Sequence, residues 1–407
     1  MNNRVEIAFD LSADPNADFA VLDDVVKGVL GSTVYLLGGQ LLIDVTDKVL
    51  NYSVTRGKSR QLDRYPAGSL TVNLNNNDRS FDPLYTSGPY AGQIVPRRDV
   101  RVTSNGIVQY RGTIDDWNLD YQPQGNSVAS IIASDGLTKL ANQTLTGGTA
   151  TAQLTSARIN AVLNDVSVNW PLDRRSIEDG LQDLQADVIE ANTNALEYLQ
   201  LVTESEPGSL FIDKSGSVVF KNRHTDETSA EVVSFADDGS GMGYQDLKVV
   251  YGAELLYNEV VLSRLNGGTA VASDLPSQSA YGISTLTLDN LLMDSDADAE
   301  ELATFLVGKY AQPEYRFESL EIDLLTLPEE NQAEVLGLEL GQVVFVKFTP
   351  NGIAPAIERY AEVIRIDQRV GPQSHRMTLG LGALDYSLFR LSDKVFGRLS
   401  AGNSLAY

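Results

Sequence analysis

One order of strand-like segments occurs twice in the chain, in residues 69–137 and again in residues 319–384. Apolar and polar residues alternate within these segments, as in strands that are buried on one face. The aligned pairs are SLTVNLNN (69–76) with SLEIDLLT (319–326), GQIVPRRDVRV (92–102) with GQVVFVKF (341–348), and residues 110–137 with residues 360–384. Alternation alone can produce part of such a similarity by chance, but the shared order and spacing favour a duplication. The repeat therefore predicts two similar β-barrels in one chain.

The two copies differ in the connection that follows their first strand. In the first copy about twenty residues separate the strands, which is long for a hairpin loop and typical of a functional or docked segment. Its aromatic side chains and its arginines are residue types that commonly anchor interfaces. We expect this loop to contact a neighbouring subunit or, alternatively, to fold back on its own barrel. The candidate interface residues are Arg79, Phe81, Asp82, Pro83, Leu84, Tyr85, Tyr90, Arg97 and Arg98.

Helical spacing replaces strand alternation in the middle of the chain. Residues 155–166 and 177–188 each carry apolar residues at intervals of three and four, which predicts two helices. Asn194 is placed to cap a third helix. The apolar runs 210–212 and 218–220 flank a turn and predict a β-hairpin.

These patterns predict a mainly β chain with an α+β insert. Residues 1–150 are expected to form a first β-barrel domain with N-terminal strands, and residues 151–230 the small insert domain. Residues 231–385 are expected to form a second β-barrel that includes an amphipathic helix over residues 294–311, with acidic residues at its N-terminus. Residues 386–407 are too few for a core of their own and are expected to dock as a C-terminal arm.

The composition argues against several classes of protein. The 407-residue chain has a formal net charge of −24, and phosphate binding needs basic surfaces, so stable binding to nucleic acid is not expected. The sequence has no cysteine and no run of about eighteen apolar residues that would span a membrane. Its two histidines, His224 and His375, lie outside any catalytic or metal-binding motif. We therefore expect no enzymatic activity, no cofactor and no metal site.

Residues 55–102 resemble a segment of the minor tail proteins of long, non-contractile-tailed phages (siphoviruses) of actinobacteria. In that family the segment is a motif that reads R-G-x-S-R-x-L-D-R-x-x-A-G, continues through V-x-L-x-N-x-D and ends in F-D-P, and an aromatic-rich loop follows it. Residues 209–223 and 395–407 resemble further parts of the same family, although Ser400 stands where family members often have Asp. The matching residues are Arg56, Gly57, Ser59, Arg60, Leu62, Asp63, Arg64, Ala67, Gly68, Val72, Leu74, Asn76, Asp78, Phe81, Asp82 and Pro83.

The resemblance implies a structural protein of the virion, namely the tail-tip or baseplate hub. Such hubs have two β-barrels per subunit, and a homotrimer gives a pseudo-sixfold ring that closes the tail tube and opens for genome ejection. The implied partners are a distal tail protein or tail tube ring, the tape measure protein, and a central fibre, spike or other minor tail protein. DNA would pass through the ring only transiently, past acidic residues that repel its phosphates.

Two other interpretations remain. One is a tail protein that binds a receptor or a cell-wall carbohydrate, which would have an exposed aromatic cleft. The other is a hub that carries a wall-degrading activity, but the chain has no spare segment for a recognisable catalytic domain. In each case the resemblance implies a location at the tail tip of a virion assembled in the host cytoplasm.

Overall fold

The computed structural model describes residues 1–9, 41–123, 125–225 and 229–384, so the predicted C-terminal arm lies outside the described residues. Strands make up 43% of the structure and helices 20%, which confirms the predicted mainly β class. Thirteen of the strands are joined in one large sheet. Within the described part of the chain, no helix is long and apolar enough to cross a membrane.

The N-terminal strands form a unit that we call the first module, consisting of β1 (Asn3–Phe9), β2 (Leu41–Asp44), β3 (Val49–Gly57), β4 (Ser69–Asn75), β5 (Asp99–Ser104), β6 (Ile107–Asp120) and β7 (Val128–Ser134). They lie in the order β3-β4-β7-β6-β5-β1-β2. The hydroxyls of Tyr52 on β3 and Ser104 on β5 are 3.4 Å apart, although three strands separate β3 from β5. The sheet therefore curls around one core, which includes Phe9, Leu70 and Ile131.

The insert follows the first module, with elements α1 (Gly136–Ala141), β8 (Gly148–Ala150), β9 (Gln153–Leu154), α2 (Thr155–Leu163), β10 (Arg175–Ile177), β11 (Asp183–Leu184), β12 (Asp187–Ile189), α3 (Ala195–Glu204), β13 (Ser209–Ile212) and β14 (Val218–Lys221). The predicted hairpin is confirmed, because β13 pairs antiparallel with β14. The predicted cap is also confirmed, because the side-chain oxygen of Asn194 accepts hydrogen bonds from the amides of Leu196 and Glu197.

The helix predicted over residues 177–188 is wrong. This segment forms short strands instead, and β10 pairs with β14 while β12 pairs with β8. Leu181 and Val188 are exposed, so the helical spacing of apolar residues in this segment does not mark one buried face. Pairing with strands elsewhere in the insert overrides the local pattern.

The second module consists of β15 (Val233–Ala236) and β16 (Asp246–Gly252), followed later in the chain by β20 (Glu314–Asp323), β21 (Val343–Phe348), β22 (Ile357–Gly371) and β23 (Ser374–Ala383), with α6 (Glu329–Gly337) between β20 and β21. Short 3₁₀ turns lie at Thr46–Lys48, Leu172–Arg174, Leu324–Thr326 and Pro350–Gly352 of the chain.

The hydroxyl of Tyr244, just before β16, donates to the carbonyl of Lys347 on β21 at 3.2 Å. This contact joins the two ends of the second module as Tyr52 and Ser104 join those of the first.

A small unit interrupts the second module between β16 and β20. It contains β17 (Glu259–Arg264), β18 (Thr269–Ser273), α4 (Leu275–Tyr281), β19 (Thr285–Leu291) and α5 (Asp296–Tyr310). The strands lie in the order β18-β17-β19 and share a separate core with α5, which includes Val260 and Leu302. The helix predicted over residues 294–311 is confirmed as α5, and Ser295 and Asp298 form a reciprocal capping box at its start.

The two modules have the same strand order, which is the structural form of the predicted repeat. The first runs β3-β4-β7-β6-β5-β1, and the second runs β16-β20-β23-β22-β21-β15. Both contain a β-bulge at the same place, between Ile114 and Asp116 on β6 and between Val363 and Arg365 on β22. The modules differ at one edge, because β1 is antiparallel to β5 whereas β15 is parallel to β21.

One detail of the sequence alignment is wrong. The shared Gly-Gln pairs suggested that Gly92 corresponds to Gly341. In the structure the amide of Arg97 donates to the carbonyl of Ile114, and the amide of Gly341 donates to the carbonyl of Val363. Because Ile114 and Val363 both precede the bulge, the equivalent of Gly341 is Arg97.

Candidate functional site

The two modules are joined by a pairing between β22 and β3. Residues 365–370 of β22 lie antiparallel to Tyr52–Gly57, and Gly57 is the last residue of β3. It has a φ of 105°, and an added Cβ would lie 2.6 Å from the Cα of Arg365. A side chain at this position would therefore force β22 away from β3.

Arg56, next to Gly57, is buried and links three parts of the chain. Its guanidinium donates to the carbonyl of Ile212 in the insert at 3.1 Å and forms an ion pair with Glu339, which follows α6. The carboxylate of Glu339 also accepts a hydrogen bond from the amide of Lys214 at 2.9 Å. The ammonium of Lys214 donates to carbonyls at the C-terminal end of α6, and burial lowers its pKa. The cluster fixes the insert against both modules.

Asp135 supports the same junction from the N-terminus of α1. Its carboxylate accepts hydrogen bonds from the amides of Gly68 at 2.7 Å and Leu137 at 2.9 Å. Burial raises its pKa to about 6, although these hydrogen bonds and nearby Arg56 act in the opposite direction. A Cβ at Gly68 would lie 2.7 Å from the Asp135 carboxylate. The glycine of the A-G pair in the motif therefore lets the chain approach the buried acid.

Other charged residues of the motif form contacts within the chain. Arg64 binds the carboxylate of Glu204 on α3 through two nitrogens, at 2.5 and 2.8 Å. Arg60 pairs with Asp63 at 3.2 Å. The segment after β3 is therefore held against the insert, and these motif residues stabilise the arrangement of units in one chain.

The long loop between β4 and β5 has a buried part that folds back on its own module. Phe81 is fully buried and stacks on Tyr90, with ring centroids 5.5 Å apart. Tyr90 also stacks on Phe9 of β1 at 4.3 Å, and Trp117 on β6 stacks on Phe81 at 6.2 Å. These aromatic side chains attach the loop to the core of the first module.

A second part of the loop, Pro83–Tyr85, lies at the surface, and we call it the loop crest. Pro83 and Leu84 are exposed, whereas Tyr85 is half-buried. The side chain of Leu84 is 83% exposed. Asp82 holds the crest in place. Its buried carboxylate accepts a hydrogen bond from the amide of Leu84 at 2.8 Å and forms an ion pair with Arg79. The guanidinium of Arg79 also lies over the ring of Tyr85, 5.1 Å from its centroid. The crest is therefore a pre-formed apolar projection, and such rigid projections suit protein interfaces.

The two arginines at the end of the loop lie in different environments. Arg97 is exposed and adopts a φ of 67°. Arg98 is half-buried, and its guanidinium donates to the side-chain oxygen of Gln93 at 2.6 Å. The structure uses three of the candidate interface residues, Phe81, Asp82 and Tyr90, to hold the loop. The exposed candidates are Arg79, Pro83, Leu84 and Arg97, and Tyr85 and Arg98 are half-buried.

The two histidines lie in different environments. His375 is fully buried, its Nε2 lies 3.2 Å from the side-chain oxygen of Gln368, and burial lowers its pKa to about 4. His224 makes an edge-on ring contact with Phe305 at 5.7 Å. The described ranges contain no group of three or more His, Asp or Glu side chains that could hold a metal ion.

The sequence did not indicate two strand edges that the fold leaves open. One is the outer edge of β16, which pairs only with β20 among the described residues, and the other is the end of β6 beyond its pairing with β5. One similarity in the sequence relates β3 to β16. Tyr52–Gly57 (YSVTRG) and Leu247–Gly252 (LKVVYG) share the valine in third position and the final glycine. Aligning these two strands would have extended the repeat to residue 247.

Comparison with known proteins relates this fold to phage tail proteins. The 43 kDa tail protein of prophage MuSo2 from Shewanella oneidensis is 13% identical, with a TM-score of 0.59 over 94% of this chain and 98% of that one. The tail protein from Neisseria meningitidis MC58 is 11% identical, with a TM-score of 0.59 over 94% and 96%. A prophage tail protein from Listeria monocytogenes EGD-e is 12% identical, with a TM-score of 0.50 over 93% and 94%.

No family model and no curated protein matches the sequence. At these identities the likeness shows the fold and not the role. The chain thus has the fold of phage tail proteins along nearly its whole length.

Proposed function

We propose that this chain is a structural protein of a phage virion, in which three copies form a ring at the tail tip. The observation that carries the proposal is the duplicated module, with one strand order and one bulge position in both copies. A subunit with two equivalent modules gives six modules in a trimer, and a cyclic arrangement closes such a ring without free ends. The fold shared with prophage tail proteins supports this role.

The finer assignment is a hub that joins a sixfold tail tube to a threefold tip, as in the siphoviruses of actinobacteria. Its partners would be a distal tail protein or tube ring, the tape measure protein, and a central fibre, spike or other minor tail protein. The net charge of −24 suits a lumen through which DNA slides, because like charges repel the phosphates. The ring would open during genome ejection, and the protein would reside at the tail tip of the virion.

The loop crest is the surface that we assign to contact with a neighbouring subunit or another tail protein. Leu84 is exposed, its amide donates to Asp82, and Tyr85 with Arg79 over its ring supplies an aromatic and a cationic group next to it in the loop. Arg97, at the end of the loop, is also exposed. The equivalent connection in the second module contains α6, which packs on β6 of the first module. The two modules therefore present different surfaces at this position, as a ring with two kinds of neighbours requires.

Light scattering on the purified protein tests the trimer. The expected mass is three times the 44.2 kDa of one chain. A monomer at all concentrations, together with binding to isolated host cell-wall glycans, would instead favour the carbohydrate-binding interpretation and overturn the ring.

A further inference from the structure

We propose that residues 116–121 of one subunit pair antiparallel with residues 247–252 of β16 in a second copy of this chain. The inference rests on the proposed ring, and it identifies the strands that close that ring. The pairing would repeat between subunits the junction that β22 and β3 form within one chain.

The junction within the chain uses one edge of β22 twice. Residues 357–362 pair with β21, and residues 365–370 pair with β3. Because β23 occupies the opposite edge from residue 361 to residue 371, β21 and β3 must lie on the same edge. The bulge at Val363–Arg365 separates the two partners.

The equivalent edge of β6 is only half used. β5 pairs with residues 107–113, and β7 takes the opposite edge from residue 113 to residue 120. The backbone of Ile114 bonds with Arg97 and Arg98 on the β5 edge. Beyond the bulge, residues 116–120 have no strand on that edge within the described ranges.

β16 is the second-module equivalent of β3, and its outer edge is also open. β3 lies between β4 and β22, whereas β16 pairs only with β20 in the described part of the chain. An edge strand of seven residues offers a row of unpaired amides and carbonyls to another strand. The two open edges of one subunit thus correspond to the two strands that meet at the internal junction.

The facing residues fix the register of the proposed pairing. In the first module Asp116 on β6 faces Ile132 on β7, Ile132 faces Thr71 on β4, and Thr71 faces Ser53 on β3. In the second module Arg365 on β22 faces Gly380 on β23, Gly380 faces Ser319 on β20, and Ser319 faces Lys248 on β16. Asp116 and Arg365 each follow the bulge of their strand. Lys248 is therefore equivalent to Ser53. At the internal junction Ser53 faces Arg369, whose equivalent in the first module is Asp120. The inter-subunit register thus places Asp120 opposite Lys248.

This register places compatible side chains opposite each other at most positions. On one face the acidic Asp120 lies opposite the basic Lys248, whose ammonium also pairs with Glu318 of its own chain at 2.8 Å, and Asn118 lies opposite Val250. The other brings together the apolar pairs Tyr121 with Leu247, Leu119 with Val249, and Trp117 with Tyr251. Side chains alternate between the faces of a strand, so a slip by one residue would place Asp120 against Val249 and lose both matches.

Side chains at the two open edges are more exposed than their equivalents at the internal junction, as expected if a partner strand covers them in the assembly. Tyr251 is 67% exposed, whereas its equivalent Arg56 is 3% exposed. Tyr121 is 48% exposed, whereas its equivalent Val370 is 6% exposed. The internal junction covers Val370 and, together with the insert and Glu339, it covers Arg56. The proposed pairing would cover the two tyrosines.

The glycines that end β3 and β16 are consistent with the same pairing. β22 crowds Gly57, as described above. An added Cβ at the equivalent Gly252 would meet only Val250 Cγ1, at 3.8 Å, among the described residues, so nothing in that part of the chain requires a glycine there. If a strand of a neighbouring subunit lies as close to Gly252 as β22 lies to Gly57, a side chain at position 252 would clash with it, which would explain the glycine.

Cysteine cross-linking tests the pairing directly, because the chain has no cysteine of its own. Facing Cα atoms in an antiparallel pair are about 4.5–5.5 Å apart, which is within the range for a disulfide. The double variant Asp120→Cys, Lys248→Cys should form, on oxidation of the assembled full chain, covalent dimers and trimers on a non-reducing gel. The matched control is Asp120→Cys with Ser273→Cys, whose second cysteine lies at the end of the exposed strand β18. The control should stay uncross-linked.

The mass of each variant in solution separates the possible failures. A trimer by light scattering that does not cross-link, or that cross-links equally well in the control, overturns the strand pairing and leaves the proposed ring intact. A monomer by light scattering overturns both the ring and the pairing. A trimer that cross-links only in the Asp120–Lys248 variant supports both.

Discussion

Arg97 and Gly341 occupy equivalent positions in the two modules and share a left-handed backbone, with φ values of 67° and 69°. Each donates its amide to the residue before the bulge, Ile114 or Val363. The turn before β5 and the turn before β21 therefore have one geometry that is filled by two different residue types. Glycine adopts this conformation freely, whereas an arginine is strained in it.

Exchanging these two residue types should change stability in opposite directions. Arg97→Gly relieves a positive φ and should raise the free energy of unfolding by up to about 1 kcal/mol. Gly341→Ala introduces that strain, and its Cβ would also lie 2.9 Å from the Lys221 side chain, so this variant should lose at least about 1 kcal/mol. Urea unfolding of both variants measures the difference, and equal shifts in one direction would contradict the equivalence.

The buried and exposed parts of the long loop should respond differently to truncation. Phe81→Ala removes a fully buried ring from an aromatic stack and should cost about 3–5 kcal/mol of stability. Leu84→Ala, three residues away on the loop crest, should change stability by less than about 0.5 kcal/mol and yet weaken assembly. Urea unfolding and light scattering on each variant separate the two effects. A Leu84→Ala variant that assembles as well as the unchanged protein would remove the crest from the interface.

The cluster around Arg56 should be a major source of stability at the junction. Glu339→Ala leaves the buried guanidinium without its carboxylate and should lower the free energy of unfolding by about 3–5 kcal/mol. Glu330→Ala on the exposed surface of α6 is the matched control and should be nearly neutral. Thermal or urea unfolding measures both. A small effect of Glu339→Ala would mean that Arg56 is solvated rather than buried.

His375 should make the fold sensitive to acid. The pKa of a histidine is near 6.5 when unfolded, and burial lowers that of His375 to about 4. The unfolded chain therefore takes up the proton first, and the stability that the neutral ring contributes above pH 6.5 is lost as the pH falls towards 4, by about 3 kcal/mol in total. His375→Gln should make the free energy of unfolding less dependent on pH in this window. The same substitution at His224 is the control, and equal changes in the two variants would contradict this assignment.

Local sequence signals predicted the elements that local interactions stabilise. Asn194 identified a helix start because its side chain bonds to amides two and three residues ahead. The hairpin at residues 208–223 was predictable because a short turn joins its two strands. The repeat also predicted two similar β modules, since each copy carries its own alternating pattern.

Contacts between distant residues were not predictable from one sequence. Arg56 and Glu339 are separated by 283 positions, and neither residue type indicates burial. The segment 177–188 carried helical spacing but pairs with strands elsewhere in the insert. The division of the long loop into a buried stack and an exposed crest likewise depends on Phe9 and Trp117, which belong to other strands.

Electron microscopy of the assembled protein, with averaging that imposes no symmetry, would show the proposed ring itself. We expect a closed ring with threefold symmetry and six similar lobes around a central channel, because each subunit contributes two equivalent modules. A single isolated particle, or a ring whose lobes do not number six, would contradict it.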